Sequence, residues 1–128
     1  MKYNADQTPN PQDWLELDET ERQILVEEYH EQTGVELPNA RLHAAFHVIV
    51  ENQIALGDVT PVRKTLERLI NESLDRHDAL HAISAVLSEK IFEVMSGDFE
   101  GEYVSDEYFD KLEQLTAEAW KRGDYGLE

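Results

Sequence analysis

The sequence predicts an all-α protein, a single-domain bundle of about five helices over residues 1–128. Apolar residues recur at spacings of three and four, and no run alternates apolar and polar residues over the length of a strand. Helix-capping residues precede the periodic segments, and glycine or proline follows most of them. A chain of 128 residues, 41% of them hydrophobic, is long enough to bury one core.

The first predicted elements are a lead-in and a helix. Residues 1–17 contain two prolines and are expected to be irregular, with Trp14 anchoring them to the body. Asp18, followed three residues later by Glu21, is typical of a capping box. A first helix is therefore expected to begin there and to end at Gly34.

Two further helices are predicted from their caps. Asn39 is expected to begin a second helix that runs to about Leu56, with Gly57 as its stop. Thr60 and Pro61 predict the start of a third helix, because proline suits the first helical position, where no N–H is needed. Both helices carry one apolar face.

Of the last two predicted helices, the fourth contains histidines and the fifth is acidic. Asp75 is expected to cap a fourth helix that ends near Gly97, which completes the histidine-bearing core helices of residues 18–96. Ser105 is expected to cap an acidic C-terminal helix over residues 105–122. Acidic residues in its first turn suit the positive end of the helix dipole.

The charge of the chain bounds its partners. It carries 28 acidic and 11 basic residues, a net charge of −17, and residues 39–96 are the nearly neutral part. Nucleic acid is nearly excluded as a partner, since phosphate binding needs clustered Lys and Arg, and anionic membranes are disfavoured for the same reason.

Without cysteine there is no disulfide or thiolate metal site. No apolar stretch suits a signal peptide or a membrane span, so a cytoplasmic location is expected.

The main functional signal is a doubled histidine pattern. The second predicted helix contains RLHAAFHVIVENQ, in which His43, His47 and Glu51 follow one another at intervals of four. The fourth contains LDRHDALHAI, with His77 and His81 at the same interval. Residues four apart lie one turn apart on one face of a helix, so each pair can converge on one point.

These pairs predict a site for a divalent transition metal between two helices. The four imidazoles would be ligands, Glu51 would be a fifth ligand or an outer partner, and Asp78 would orient an imidazole. Such donors suit zinc, iron or nickel, whereas magnesium prefers oxygen. No organic cofactor is expected. An open coordination position would permit activation of water, but no residue identifies a substrate, so enzyme activity stays open.

A second interpretation gives the histidines a structural role. Buried imidazoles also bond carbonyls and carboxylates or line a dimer seam. The chain would then be a non-catalytic interaction or dimerisation module, as a homo-oligomer or with a basic protein partner. Two weaker patterns are present. Glu27-x-x-His30 matches half of a di-iron carboxylate motif, and His77-Asp78 matches the doublet of some metal phosphohydrolases.

Three segments, LPNARLHAAFHVIVENQIALGD, TLERLI and LDRHDALHAISAVL, resemble a bacterial family of small helical proteins known only as a domain of unknown function. The resemblance covers residues 10–96 and does not include the acidic tail from residue 97 onward. It implies no activity, substrate or cofactor. It does imply a shared motif of His43, His47, Glu51, Asn52, Gln53, Asp75, His77 and His81.

Overall fold

The computed structural model describes residues 1–34, 36–95 and 104–123. These residues form helices joined by short turns, with no strand among them, which confirms the predicted all-α single-domain bundle. In chain order the helices are α1 (Pro11–Glu16), α2 (Glu19–Thr33), α3 (Ala40–Ala55), α4 (Val62–Asn71), α5 (Arg76–Met95), α6 (Val104–Gln114) and α7 (Ala117–Arg122), and a 3₁₀ turn at Gly57–Val59 joins α3 to α4.

Side-chain caps begin α2 and α3 where the sequence predicts them. The Asp18 carboxylate accepts a hydrogen bond from the Glu21 backbone N–H, and the Glu21 side chain accepts one from the Asp18 N–H. Gly34 ends α2 with a φ of 75°, a left-handed conformation that favours glycine. The Asn39 side chain accepts from the Leu42 N–H at 3.1 Å. Each cap satisfies an N–H that the helix leaves without a partner.

The boundaries around α4 and α5 lie close to the predictions. α3 ends one residue before Leu56, and α4 begins one residue after Pro61. Asp75 caps α5, since its carboxylate accepts from the Asp78 N–H at 2.8 Å. The predicted stop of this helix at Gly97 lies outside the described residues, and the described part of α5 ends at Met95.

The N-terminal lead-in differs from the irregular segment that the sequence predicts. Asn10 accepts from the Asp13 N–H at 3.0 Å and Pro11 takes the first position, so α1 forms within it. Trp14 is fully buried, as predicted, and its indole N–H donates to Asn52 on α3 at 2.9 Å. The Arg22 guanidinium on α2 donates to three carbonyl oxygens of residues 14–17. These bonds satisfy the C-terminal end of a helix too short to be stable alone.

The prediction of one C-terminal helix over 105–122 is wrong. α6 begins at Val104, so Ser105 lies within the helix instead of preceding it, and the helix ends at Gln114. The Thr116 hydroxyl then accepts from the Ala119 N–H at 3.0 Å, which makes it the cap of a separate helix, α7. In addition, the Glu72 carboxylate accepts from the N–H of residue 117 at 3.0 Å.

α3 and α5 are the centre of the bundle. α3 packs against α1, α2, α4 and α5, and α5 also packs against α4 and α6. Burying one leucine-sized side chain contributes about 1.5–3 kcal/mol, so the core stabilises this arrangement. No described helix has both the length and the hydropathy needed to cross a bilayer. The most deeply buried core side chains include Val26, Val50, Leu69, Leu80, Ile83 and Leu112.

Candidate metal centre

Three helices bring all five histidines of the chain together. α3 supplies His43 and His47, α5 supplies His77 and His81, and α2 supplies His30. One ring nitrogen from each histidine lies within 4.8 Å of those of the other four. The two predicted pairs therefore face each other, and α2 adds a fifth imidazole. We call these five residues the histidine cluster.

The rings of the cluster surround a common point. Within each pair the ring centroids are 4.8 Å apart on α3 and 4.3 Å apart on α5. Across the helices, His43 lies 5.0 Å from His81, and His47 lies 5.1 Å from His77. His30 lies 4.6 Å from both histidines of α3. The faces of three helices therefore converge on one small volume.

Several nitrogens of the cluster are buried without a hydrogen-bond partner. His47 is fully buried, His30 is 6% exposed, and the other three histidines are half-buried. Among the described residues, the buried Nε2 atoms of His30, His47 and His77 have no partner. Leaving one such atom unsatisfied costs about 1–3 kcal/mol. A bound cation would accept these lone pairs and remove that cost.

A backbone carbonyl fixes the tautomer of His30. Its Nδ1 lies 2.9 Å from the carbonyl oxygen of Val26, one turn earlier on α2. Because a carbonyl only accepts, Nδ1 carries the proton and donates it. In the neutral ring Nε2 then keeps its lone pair, and a carbonyl at the other nitrogen is a usual outer partner of a metal-bound histidine.

A hydrogen-bonded chain holds His47 in the same way. Its Nδ1 lies 3.4 Å from the hydroxyl oxygen of Tyr3. That hydroxyl donates to the Glu51 carboxylate at 2.6 Å, and so its oxygen can accept from the His47 N–H. Burial, and after it the charge of Glu51, raises the pKa of Tyr3 well above its ordinary value, which keeps the hydroxyl protonated. With the proton on Nδ1, the Nε2 atom of His47 keeps its lone pair.

Glu51 lies outside the histidine cluster, so of its two expected roles, fifth ligand or outer partner, its position fits the outer one. Its carboxylate is 1% exposed and accepts two hydrogen bonds of 2.8 Å from the Arg76 guanidinium at the start of α5. A buried carboxylate needs such a charged partner, and the two-pronged guanidinium satisfies both oxygens. Glu51 therefore acts on the cluster from outside, through Tyr3.

Asp78, expected to orient an imidazole, lies in the first turn of α5. It is exposed, and its backbone N–H donates to Asp75 as part of the α5 cap. No hydrogen bond joins its carboxylate to an imidazole among the described residues. Its negative charge acts to raise the pKa of His77. Burial outweighs this effect, so the pKa of His77 is lowered overall.

Burial favours the neutral form of four imidazoles of the cluster, those of α3 and α5. Loss of water lowers the pKa of His43 to about 4 and that of His81 to about 3, and the charges of neighbouring histidines lower both further. The same two causes lower the pKa of His47 and His77. A neutral imidazole has a free lone pair, which is the form that binds a metal ion.

His30 is the site residue that the histidine pairs do not reveal. It has no second histidine at helical spacing, and Glu27 of the half di-iron motif is outside the cluster. A weaker signal was present, since Arg22, Val26 and His30 recur every four residues and are all buried in α2. This four-residue period indicates that His30 lies on the buried face of its helix.

A family model described as Domain of unknown function (DUF1841) matches residues 6–116. This span includes all five histidines and passes residue 96, where the sequence resemblance was expected to end. The C-terminal region through α6 is thus part of the shared domain, which corrects that expected limit. Neither the curated proteins nor the solved structures contain a match to the chain.

Proposed function

The chain belongs to the DUF1841 family, and we propose that it binds one divalent transition-metal ion through its histidine cluster. The observation that carries the proposal is the convergence of five ring nitrogens within 4.8 Å of one another. Opposite ligands of one ion are about 4.2 Å apart when each bond is about 2.1 Å. Neighbouring ligands are about 3.0 Å apart, so the 4.8 Å limit is close to the width of one coordination sphere.

The alternative, purely structural histidines, leaves the buried nitrogens unexplained. Structural imidazoles are expected to satisfy both nitrogens with protein partners. In His30 and His47 the Nδ1 atom has a partner, whereas the buried Nε2 atom has none among the described residues. Metal-bound histidines typically have one ring nitrogen in a hydrogen bond to the protein and the other directed at the ion. His30 and His47 show this arrangement of partners around one point.

The donor set supports zinc, iron or nickel. Neutral imidazole nitrogens suit these ions, and no carboxylate of the described residues joins the cluster, which disfavours magnesium and calcium. Five nitrogens exceed the four ligands of a structural zinc site and leave one position open on a six-coordinate ion. Exchange of water at such a position would permit ligand binding or catalysis.

Metal content measured on untagged protein tests the proposal. The chain is stripped with a chelator, incubated with zinc, iron or nickel salts, desalted and subjected to elemental analysis. We expect about one ion per chain, and a thermal midpoint that rises with metal by several degrees, since a ligand at 100 times its Kd adds about 2.7 kcal/mol.

Glu27→Gln is the matched control for the site. Glu27 lies on α2 three residues before His30 but is outside the cluster, so this variant should retain the full metal content. The variant His43→Gln should lose it. Sub-stoichiometric metal with every ion and no thermal shift would overturn the proposal.

A further inference from the structure

A large cavity lies against one side of the histidine cluster. Its volume is about 1050 Å³, and His43, His47 and His81 form part of its wall. The remaining wall is mostly apolar, and its two carboxylates are each paired with a lysine, Glu93 with Lys90 and Glu89 with Lys111. Ligand pockets of small molecules commonly measure about 300–1,000 Å³. Apolar side chains that line it include Leu37, Leu42, Phe46, Ala85 and Ile91.

A buried hydroxyl lies beside the histidines in the same wall. Ser84 follows His81 by three residues on α5, so the two side chains are neighbours on one face of the helix. The Ser84 Oγ is buried and has no hydrogen-bond partner among the described residues. The cavity thus combines an apolar wall with polar groups next to the cluster.

The charge balance at the cluster favours an anion. Its five candidate ligands are imidazoles, which bring no negative charge, and the buried Glu51 carboxylate is paired with Arg76. A divalent ion bound there would keep its positive charge in a buried place, where charge without a counter-charge is costly. An anionic ligand at an open coordination position would supply the counter-charge.

We propose that the metal-loaded cavity binds a small amphiphilic anion, such as a medium-chain carboxylate, with its head on the ion and its apolar tail in the cavity. The Ser84 hydroxyl donates a hydrogen bond to the head. This inference rests on the proposed metal site and adds to it the chemical class of the ligand. Each methylene that the cavity buries tightens binding about three- to fourfold.

Acetate and octanoate are the two probes, because they share a head and differ by an apolar tail. The protein is loaded with Co²⁺, whose visible absorption changes when a new ligand coordinates. We expect both carboxylates to change the spectrum and octanoate to bind at least about 50-fold more tightly than acetate. The metal-free protein should bind octanoate at least tenfold more weakly than the loaded protein.

Variants of the cavity wall separate the tail from the head. Ser88→Phe fills part of the cavity, and Leu42→Ala, at a half-exposed position, removes apolar wall without crowding it. Both should weaken octanoate at least fivefold and leave acetate binding and metal content unchanged. Leu56→Phe, at an exposed position outside the cavity, is the control and should change neither probe.

The outcomes distinguish this inference from the proposed metal site. Failure to retain any metal overturns both. Full metal content with equal affinity for acetate and octanoate overturns only the present inference, as does tight octanoate binding that leaves the cobalt spectrum unchanged. A loaded protein that dimerises through this face and excludes both probes would assign the cavity to a second copy and also overturn it.

Discussion

The Nε2 atoms of His43 on α3 and His81 on α5 lie 3.2 Å apart. This is a hydrogen-bond distance between the two rings. It also lies between the separations of two nitrogens bound to one ion at about 2.0–2.1 Å, which are about 2.9 Å at an octahedral angle and about 3.3 Å at a tetrahedral angle. The packing of α3 on α5 therefore sets this pair at the separation of two ligands of one ion. The two residues are 38 positions apart in the chain, so this separation is a property of the fold.

Replacing His81 tests its role as a ligand. His81→Gln keeps a polar side chain of similar size at a half-buried position but removes the imidazole. We expect the metal Kd to rise at least 100-fold, because loss of an outer partner alone costs about 10–100-fold. Isothermal titration with the metal measures this change. An affinity within threefold of the original chain would contradict the assignment.

Removing the Tyr3 hydroxyl tests the hydrogen-bonded chain behind His47. Tyr3→Phe keeps the ring but removes the acceptor of the His47 Nδ1 and one of the donors to Glu51, which keeps its bonds from Arg76. Metal affinity should fall about tenfold. Tyr108→Phe is the control, since that hydroxyl is buried and donates to Gln53, away from the cluster. Equal metal affinities for the two variants would show that Tyr3 does not support the site.

The buried ion pair of Glu51 and Arg76 should contribute to stability. Glu51→Gln leaves the guanidinium buried beside a neutral amide, and breaking a buried pair costs about 3–5 kcal/mol. Urea denaturation of the metal-free protein measures the loss of unfolding free energy. Replacing both residues with leucine should recover part of it. A loss below about 1 kcal/mol for the single variant would contradict this role.

Acid should destabilise the metal-free protein through its histidines. The folded pKa values of His43 and His81, about 4 and about 3, lie below the ordinary value of 6.5. The unfolded chain therefore binds more protons in this range, and the stabilisation present above pH 6.5 is lost as the pH falls towards 3. Thermal midpoints measured in chelator between pH 7 and pH 4 should decrease. The double variant with His43→Gln and His81→Gln should lose much of the pH dependence of the thermal midpoint. An unchanged pH dependence would contradict the role of these two histidines.

The predicted parts of the site are those with a local sequence signal. A spacing of four places His43 with His47, and His77 with His81, on one face of a helix whatever the rest of the fold does. His30 joins them only because α2 docks on α3, which depends on contacts between distant segments. A helical period reports the face of a helix but not which helix lies opposite that face.

The features that differ from the sequence predictions also depend on contacts between distant segments or on caps. Glu51 follows His47 by four residues, so periodicity groups it with the ligands, but Arg76 on a different helix takes its carboxylate. The break between α6 and α7 has a cap at Thr116 that the apolar period hides, because Leu112 and Leu115 continue the pattern up to it. In both cases a tertiary or capping hydrogen bond decides a feature that the apolar pattern does not encode.

Anomalous diffraction from crystals of metal-loaded, untagged protein is the most direct test of the histidine cluster as a metal site. Data collected on both sides of the absorption edge of the bound element locate that element without reference to the protein atoms. We predict one strong peak at the centre of the cluster, about 2.0–2.2 Å from nitrogens of His43, His47 and His81. A peak elsewhere on the chain, with the five imidazoles not coordinating any metal ion, would contradict the account.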